Sequence, residues 1–294
     1  MNIIMNNSSV HSFQLIDLND LPKYSPWPNR LLGLSSWEQI CRDKNFSLRE
    51  YWEKWEYLRH NYEKQTFTNL SEALYYLLKI TPQSFLFLFD KKIYFTENND
   101  QFWDFIYSEV KIYLSQYLSI DDTLVELGCG WGRNLLFAFK MNLCKNAIGG
   151  DFSKDGLNLG NSLKKQFELP INFFHFDYYS PSTEFLYKLK DTIVFTHNSI
   201  EQISYLPEKS ILALIKSQPR VVIHLEPIFE HQNENTLLSC IWKRYIEIND
   251  YNRNLLTVLK RFEKQGLLKI IDEKPHALGL NAFNPCSFIV WVPV

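Results

Sequence analysis

The chain has 294 residues, 46% hydrophobic and 22% charged, enough for a full α/β core and a smaller appended region. A formal net charge of −2 and a pI near 6.4 exclude the chain-wide positive field that would hold a polyanion. Nucleic acid and anionic membrane surfaces are therefore disfavoured as partners, a small local basic patch aside. The five cysteines are scattered and form no CxxC pair, which points to a reducing cytoplasm and to thiols acting as small buried hydrophobes.

At the start, Met1–Ser8 lacks the basic stretch and apolar core of a secretory leader, so no export is expected. Up to residue 118 the signals are helical. Ser36-Trp-Glu-Gln39, Ser47-Leu-Arg-Glu50 and Asn69-Leu-Ser-Glu72 each offer a capping residue followed three positions later by Glu or Gln. Tyr51, Trp55, Leu58 and Tyr62 recur at helical spacing. After Asn98, so do Phe102, Phe105, Ile106, Val110 and Tyr113. This region, 1–118, reads as helical and as a cap over a substrate. The apolar runs Ser84–Phe89 and Ser287–Val292 are far shorter than the roughly 20 residues of a membrane-spanning helix.

Near Ile120-Asp-Asp122 the grammar changes, and 119–294 reads as a second unit in which strands and helices alternate. Strand-like Thr123–Leu127 leads into a helix over 133–143, Ala147–Asp151 into a helix over 153–167, and Ile171–Asp177 into a helical stretch near 183–189. Thr192–His197 precedes a helix over 206–217, and Val221–Leu225 precedes one long helix over 235–265. The alternation predicts a mainly parallel sheet covered on both faces. The closing runs, 267–271 and 287–292, read as a hairpin added antiparallel at the sheet edge.

In such a sheet the turn after the first strand is the usual place of backbone approach to a ligand. That turn here is Val125-Glu-Leu-Gly-Cys-Gly-Trp-Gly-Arg-Asn134. A dinucleotide fingerprint requires its third glycine where Arg133 stands, so a pyrophosphate loop and a nicotinamide oxidoreductase are disfavoured. Glu126, Gly128, Gly130 and Gly132 instead form an acidic residue, one spacer, then G-x-G-x-G. In this the sequence resembles the class I, Rossmann-like S-adenosylmethionine-dependent methyltransferases, over roughly residues 120–294. The resemblance implies S-adenosylmethionine as cofactor and S-adenosylhomocysteine as product. It places Asp151 against the ribose hydroxyls, Phe152 beside the adenine and Asp177 against the adenine amino group. By the same likeness Glu126 helps hold the methionine ammonium, Asn134 reaches the methionine end, and the backbone at Thr196 and His197 lines the sulfonium side.

Methyl transfer from a sulfonium is an in-line displacement, dominated by holding the nucleophile in near-attack geometry; a base helps when the acceptor must shed a proton. The segment Thr196-His-Asn-Ser-Ile-Glu201 emerges beside the transferable methyl in the resembled fold. His197 is the candidate base, with Glu201 four residues on as its orienter. Alternation puts His224 and Glu226 on one face of the next strand, so Glu226 joins the catalytic candidates, and a His197–His224–Glu226 metal site is disfavoured for lack of close spacing. His175 reads as structural. The aromatic residues Trp27, Trp37, Tyr51, Trp52, Trp55 and Tyr57, with the insertion from Trp242 to Tyr251, are candidate walls for the acceptor, and Arg133 and Arg244 candidate anchors for an anion on it. A polar small molecule, methylated on oxygen or nitrogen, is the expected acceptor. Protein or RNA methylation, and a silent cofactor-binding subunit, stay open as alternatives, as does homodimerisation through the N-terminal helices.

Overall fold

A computed structural model describes residues 13–81, 85–232 and 235–294. Met1–Ser8, read for a leader, and Ser84, which begins one apolar run, lie outside the described residues. The N-terminal part comprises strand β1 (Gln14–Ile16), the short helices α1 (Leu21–Tyr24) and α2 (Trp27–Leu31), and then α3 (Lys44–Glu63) and α4 (Leu70–Ile80). Strands β2 (Leu86–Phe89) and β3 (Lys92–Phe95) and helix α5 (Asn99–Leu114) complete it. The purely helical reading of 1–118 is thus incomplete. Short, wholly or partly buried strands carry no clean period and escape a search for helical spacing.

The caps divide similarly. Asn69 caps α4 by accepting from the Glu72 amide at 3.0 Å, and Glu72 reaches back to the Thr68 amide at 2.9 Å. Ser36 opens no helix, and Ser47 lies inside α3, whose cap is Asp43, accepting from the Phe46 amide at 2.6 Å. An aspartate four residues earlier starts the helix one turn sooner, so that the amides Ser47 would have capped already lie inside it.

The second part alternates as expected: β4 (Thr123–Leu127), α6 (Arg133–Lys140), β5 (Asn146–Asp151), α7 (Lys154–Gln166), β6 (Ile171–His175), α8 (Thr183–Leu186), β7 (Ile193–His197), α9 (Glu208–Lys216) and β8 (Val221–Pro227). The expected long helix is two, α10 (Leu237–Ile248) and α11 (Leu255–Lys264), followed by β9 (Leu268–Gly279) and β10 (Cys286–Pro293). The break is polar. Asp250 turns into the left-handed region at φ 50°, and Asn252 spends its amide on the Ile203 carbonyl at 2.7 Å while its oxygen accepts from the Leu255 amide at 2.9 Å. Asparagine and aspartate offer the backbone such alternatives to continued helix.

Among the described residues one sheet of ten strands runs β1-β3-β2-β9-β10-β8-β7-β4-β5-β6. From β8 to β6 neighbouring strands are parallel. From β8 to β1 every pairing is antiparallel. The expectation of a mainly parallel sheet with an antiparallel edge strand therefore needs correction: the sheet is mixed, and the C-terminal hairpin sits in its interior, between β8 and β2. The edges are β1 and β6. Counted from β4, the parallel strands lie in the order 3-2-1-4-5, the doubly wound arrangement, and the order reverses between β4 and β7.

Alternation divides the core. Leu124, Ile193, Ile223 and Val290 face α3 to α7, while Val125, Val194, Val222 and Ile289 face α9 and α11. A third cluster joins Ile16, Leu86 and Ile93 to Trp242 and Tyr245 of α10. Cys129, Cys144 and Cys286 are buried as expected, whereas Cys41 and Cys240 are exposed. Among the described residues no helix is long and apolar enough to cross a membrane.

Candidate active site

A cavity of about 440 Å3 opens over the carboxyl ends of β4, β5 and β7, where the strand order reverses. Its floor is the turn after β4. Gly128, Gly130 and Gly132 all hold positive φ, 72°, 56° and 82°, a conformation that disfavours any side chain. Side chains of other elements already fill the space their Cβ atoms would need. A Cβ on Gly128 would lie 2.3 Å from Ser199 Cβ, one on Gly130 3.0 Å from the Trp55 ring, and one on Gly132 2.7 Å from Phe173.

Trp55 brings α3 over this turn. Along α3, Ser47, Glu50, Tyr51, Lys54 and Trp55 fall on one stripe and line the cavity. The next turns of the same stripe dock on the body of the protein: Leu58 is buried in the core, Arg59 pairs with Asp155 of α7 at 3.0 Å, and Tyr62 bonds Gln166. Of the six aromatic candidates of the N-terminal part, only Tyr51 and Trp55 reach the cavity. Trp52 and Tyr57 face solvent, and Trp27 packs against Trp37 and Tyr245. From the late insertion Tyr251 lines the cavity; Trp242 is buried elsewhere, and Arg244 is an exposed partner of Glu247.

At the end of β4, Glu126 is 1% exposed, and its Oε1 accepts from Asn134 Nδ2 while its Oε2 is buried with no partner. Asn134 is itself steadied by the Tyr107 hydroxyl at 3.2 Å. Burial, partly offset by Asn134 and the nearby Arg133 charge, raises the Glu126 pKa to about 8. At the end of β5, Asp151 accepts from the Gly130 amide and the Ser153 amide, each at 2.7 Å, and burial lifts its pKa to about 6 against those two bonds. Phe152 lies edge-on to Tyr51, and Asp177, two residues beyond β6, accepts from the Tyr179 amide at 2.8 Å; both line the cavity. His175 ends β6 exposed to solvent.

The catalytic candidates separate. His197 and Glu201 line the cavity; Thr196 and Glu226 do not. Thr196, His224 and Glu226 form one buried network instead. The Trp291 indole N–H donates to His224 Nε2 at 2.9 Å, which leaves Nδ1 to carry the proton and donate to Thr196 Oγ at 2.9 Å. The Thr196 hydroxyl supports Glu226 in turn. Glu226 is fully buried and accepts from the amides of Ser199, Ile200 and Glu201 at 3.0 to 3.3 Å. It anchors the turn at 200–202 and stands outside the lining of the cavity, whereas the sequence reading sets it among the catalytic candidates. Alternation rightly put His224 and Glu226 on one face. That face looks inward.

His197 is 5% exposed, with both ring nitrogens unpartnered, and burial, followed by the Arg133 charge, lowers its pKa to about 3. It is a neutral ring facing the cavity and a weak base. Glu201 does not orient it: the Glu201 oxygens accept from Gln202 Nε2 and Asn284 Nδ2, each at 2.7 Å. Burial, with the neighbouring Glu226, raises the Glu201 pKa to about 8. Among the described residues no His, Cys, Asp and Glu groups gather in a metal-binding arrangement.

Three contributors were invisible in the sequence. Lys54 lines the cavity from α3, and Asn284 steadies Glu201 from the β9–β10 loop. Arg42, its side chain 2% exposed, bonds Glu50 and Gln202 at 2.7 Å and the Asn249 carbonyl at 2.8 Å, and stacks on Tyr251. It ties the cavity's outer wall together across more than two hundred residues of chain, for which no local pattern exists.

No protein-family model and no curated protein sequence matches the chain. Among solved structures it is similar to the geranyl diphosphate C-methyltransferase of Streptomyces coelicolor A3(2), at 13% identity and TM-score 0.43, over 66% of this chain and 82% of that one. It is also similar to PH0226 from Pyrococcus horikoshii OT3, at 15% identity and TM-score 0.45, over 68% and 94% of the two chains. A SAM-dependent methyltransferase from Aquifex aeolicus aligns at 13% identity and TM-score 0.44, over 63% and 89%.

Proposed function

We propose that the chain is an S-adenosylmethionine-dependent methyltransferase acting on a polar small molecule. The observation that supports this best is the convergence of Glu126, Asp151 and Asp177, from three adjacent strands, with the glycine turn on one cavity, where Glu126 Oε2 is buried and unpartnered. A buried carboxylate oxygen without a donor is costly, and a ligand ammonium relieves that cost. Asp151 takes the Gly130 amide on one oxygen and the Ser153 amide on the other, with the Phe152 amide also acting on it, and a carboxylate's four lone-pair sites leave room for a ribose hydroxyl. Phe152 and Asp177 line the same cavity, and on this reading both are assigned to the adenine.

The cofactor supplies an electrophilic methyl group on a sulfonium. The chain's own residues do the rest. Gly130 and Asp151 fix the turn, α3 walls one side of the cavity, and the aromatic faces of Tyr51 and Tyr251 bound a space suited to a small acceptor rather than a folded macromolecule. Glu201, with a pKa of about 8, takes the role of proton acceptor first given to His197, and His197 offers a neutral ring nitrogen to orient the acceptor. Isothermal titration with S-adenosylhomocysteine and with NAD tests the cofactor assignment. Binding of the first and not the second is expected; NAD binding, or no binding of S-adenosylhomocysteine, overturns it.

A further inference from the structure

We infer that Lys54 and Arg133 together form the seat for the cofactor's amino-acid carboxylate, so that helix α3 belongs to the cofactor site and is not only a wall for the acceptor. This rests on the reading of the cavity as an S-adenosylmethionine site. The methionine end is a zwitterion, and Glu126 answers only its ammonium. A complementary cation is required within reach.

Two cations line the cavity, and among the described residues neither is in ion-pair contact with a carboxylate, Glu50 and Glu201 acting on Lys54 only through space. The Lys54 ammonium leans over Trp55 at 4.9 Å and Tyr51 at 5.6 Å, and the Arg133 guanidinium lies over Trp103 at 4.7 Å. The other nearby cations are already committed: Arg42 to Glu50, Gln202 and a carbonyl, Arg59 to Glu63 and Asp155. Aromatic faces make two like charges tolerable while leaving their hydrogen-bond donors free. Both stand beside the glycine turn. Lys54 is an exposed residue; desolvation at its ammonium and then the Arg133 charge hold its pKa below the ordinary lysine value against the opposing pull of Glu50 and Glu201, and that same Arg133 charge acts on Glu126 and His197. Arg133 is fixed there as the first residue of α6, directly after Gly132, and Lys54 by the contact of its neighbour Trp55 with Gly130. Both therefore follow the glycine turn closely.

The test compares S-adenosylhomocysteine with 5′-methylthioadenosine, which lacks the amino-acid portion, by isothermal titration of the full chain and of Lys54→Met, Arg133→Met and Lys54→Arg variants. Each methionine variant is expected to bind S-adenosylhomocysteine about tenfold more weakly, with 5′-methylthioadenosine unchanged, and Lys54→Arg to retain most of the affinity. Equal losses for both ligands would assign the residues a structural role and overturn the proposal. So would S-adenosylhomocysteine affinities within about twofold of the parent in both methionine variants. A parent chain that binds neither ligand would overturn the cofactor reading itself, and this proposal with it.

Discussion

Glu126 shows how burial and ligand chemistry pull on one residue. Its folded pKa of about 8 stands above the ordinary 4.5, so the native protein keeps a proton that the unfolded chain releases across that interval. Stability therefore falls as pH rises through the window, by up to about 1.4 kcal/mol per pH unit for one such group. Glu201 adds a second term of the same sign. Thermal melting of the ligand-free protein should thus drop between about pH 6 and pH 8, and Glu126→Gln should flatten the slope; a parent profile that rises through this range would contradict the burial argument. The ligand reverses the preference, because an ammonium is held by the ionised form. S-adenosylhomocysteine affinity should accordingly rise with pH up to about 8, by at most tenfold per unit, and lose this dependence in Glu126→Gln. Glu226, as a strut, behaves differently: Glu226→Ala strands three amides at the turn and should destabilise the protein by about 3 kcal/mol or more in urea titrations, with Glu226→Gln losing less. The sequence made the glycine turn and Asp151 legible because both are bound to a strand end. It could not tell Glu226 from Glu201. Both are acidic and near a strand end, and only the direction of the strand's buried face separates an anchor from a cavity wall.

At the scale of elements, the turn after β4 and helix α3 act as a lock and its cover. Each glycine of the turn is required twice, by its positive φ and by what already fills the Cβ position. The neighbours differ in how easily they yield. Ser199, opposite Gly128, is tied to Glu226 and to the Leu127 carbonyl and would lie 2.3 Å from the new Cβ, whereas opposite Gly130 the edge of the Trp55 ring stands 3.0 Å away. Gly128→Ala should therefore cost more stability than Gly130→Ala in chemical denaturation, where each substitution costs on the order of 1 to 4 kcal/mol. Gly130→Ala should instead speed hydrogen exchange in the amides of α3, and equal exchange in the two variants would argue against Trp55 as the clasp. The sequence revealed α3 through the spacing of Tyr51, Trp55, Leu58 and Tyr62, all on its buried stripe. Its start was misplaced because Ser47 and Asp43 are both good caps, and the backbone entering the helix at Asp43 decides between them.

At the scale of the molecule, the change of grammar near residue 120 marks a change in sequence pattern that neither sheet nor core respects. Strand β2 pairs with β9 through Leu88 and Gly279, and Tyr113 of α5 packs on Phe288 of β10 with ring centroids 4.7 Å apart. The largest apolar cluster runs from Phe13 to Val290. Neither pairing has a local signature, since strands brought together from distant parts of a chain find their register through the packed faces rather than through a turn. That is why the N-terminal strands and the interior place of the hairpin were not legible, whereas the βα alternation, with its short connections, was. The consequence is cooperative. A chain starting at residue 119 would expose Ala277, Leu278 and Phe288, all buried here, and leave the β9 edge unpaired. Each buried leucine or phenylalanine is worth roughly 1.5 to 3 kcal/mol, and that loss approaches the whole margin of a typical domain. The full chain should therefore unfold in one calorimetric transition whose van't Hoff and calorimetric enthalpies agree, while the shortened chain should aggregate or melt without a sharp transition. Two resolved transitions in the full chain, or a shortened chain that melts sharply and still binds S-adenosylhomocysteine, would mean that the segment before residue 119 is a separable cover rather than part of the fold.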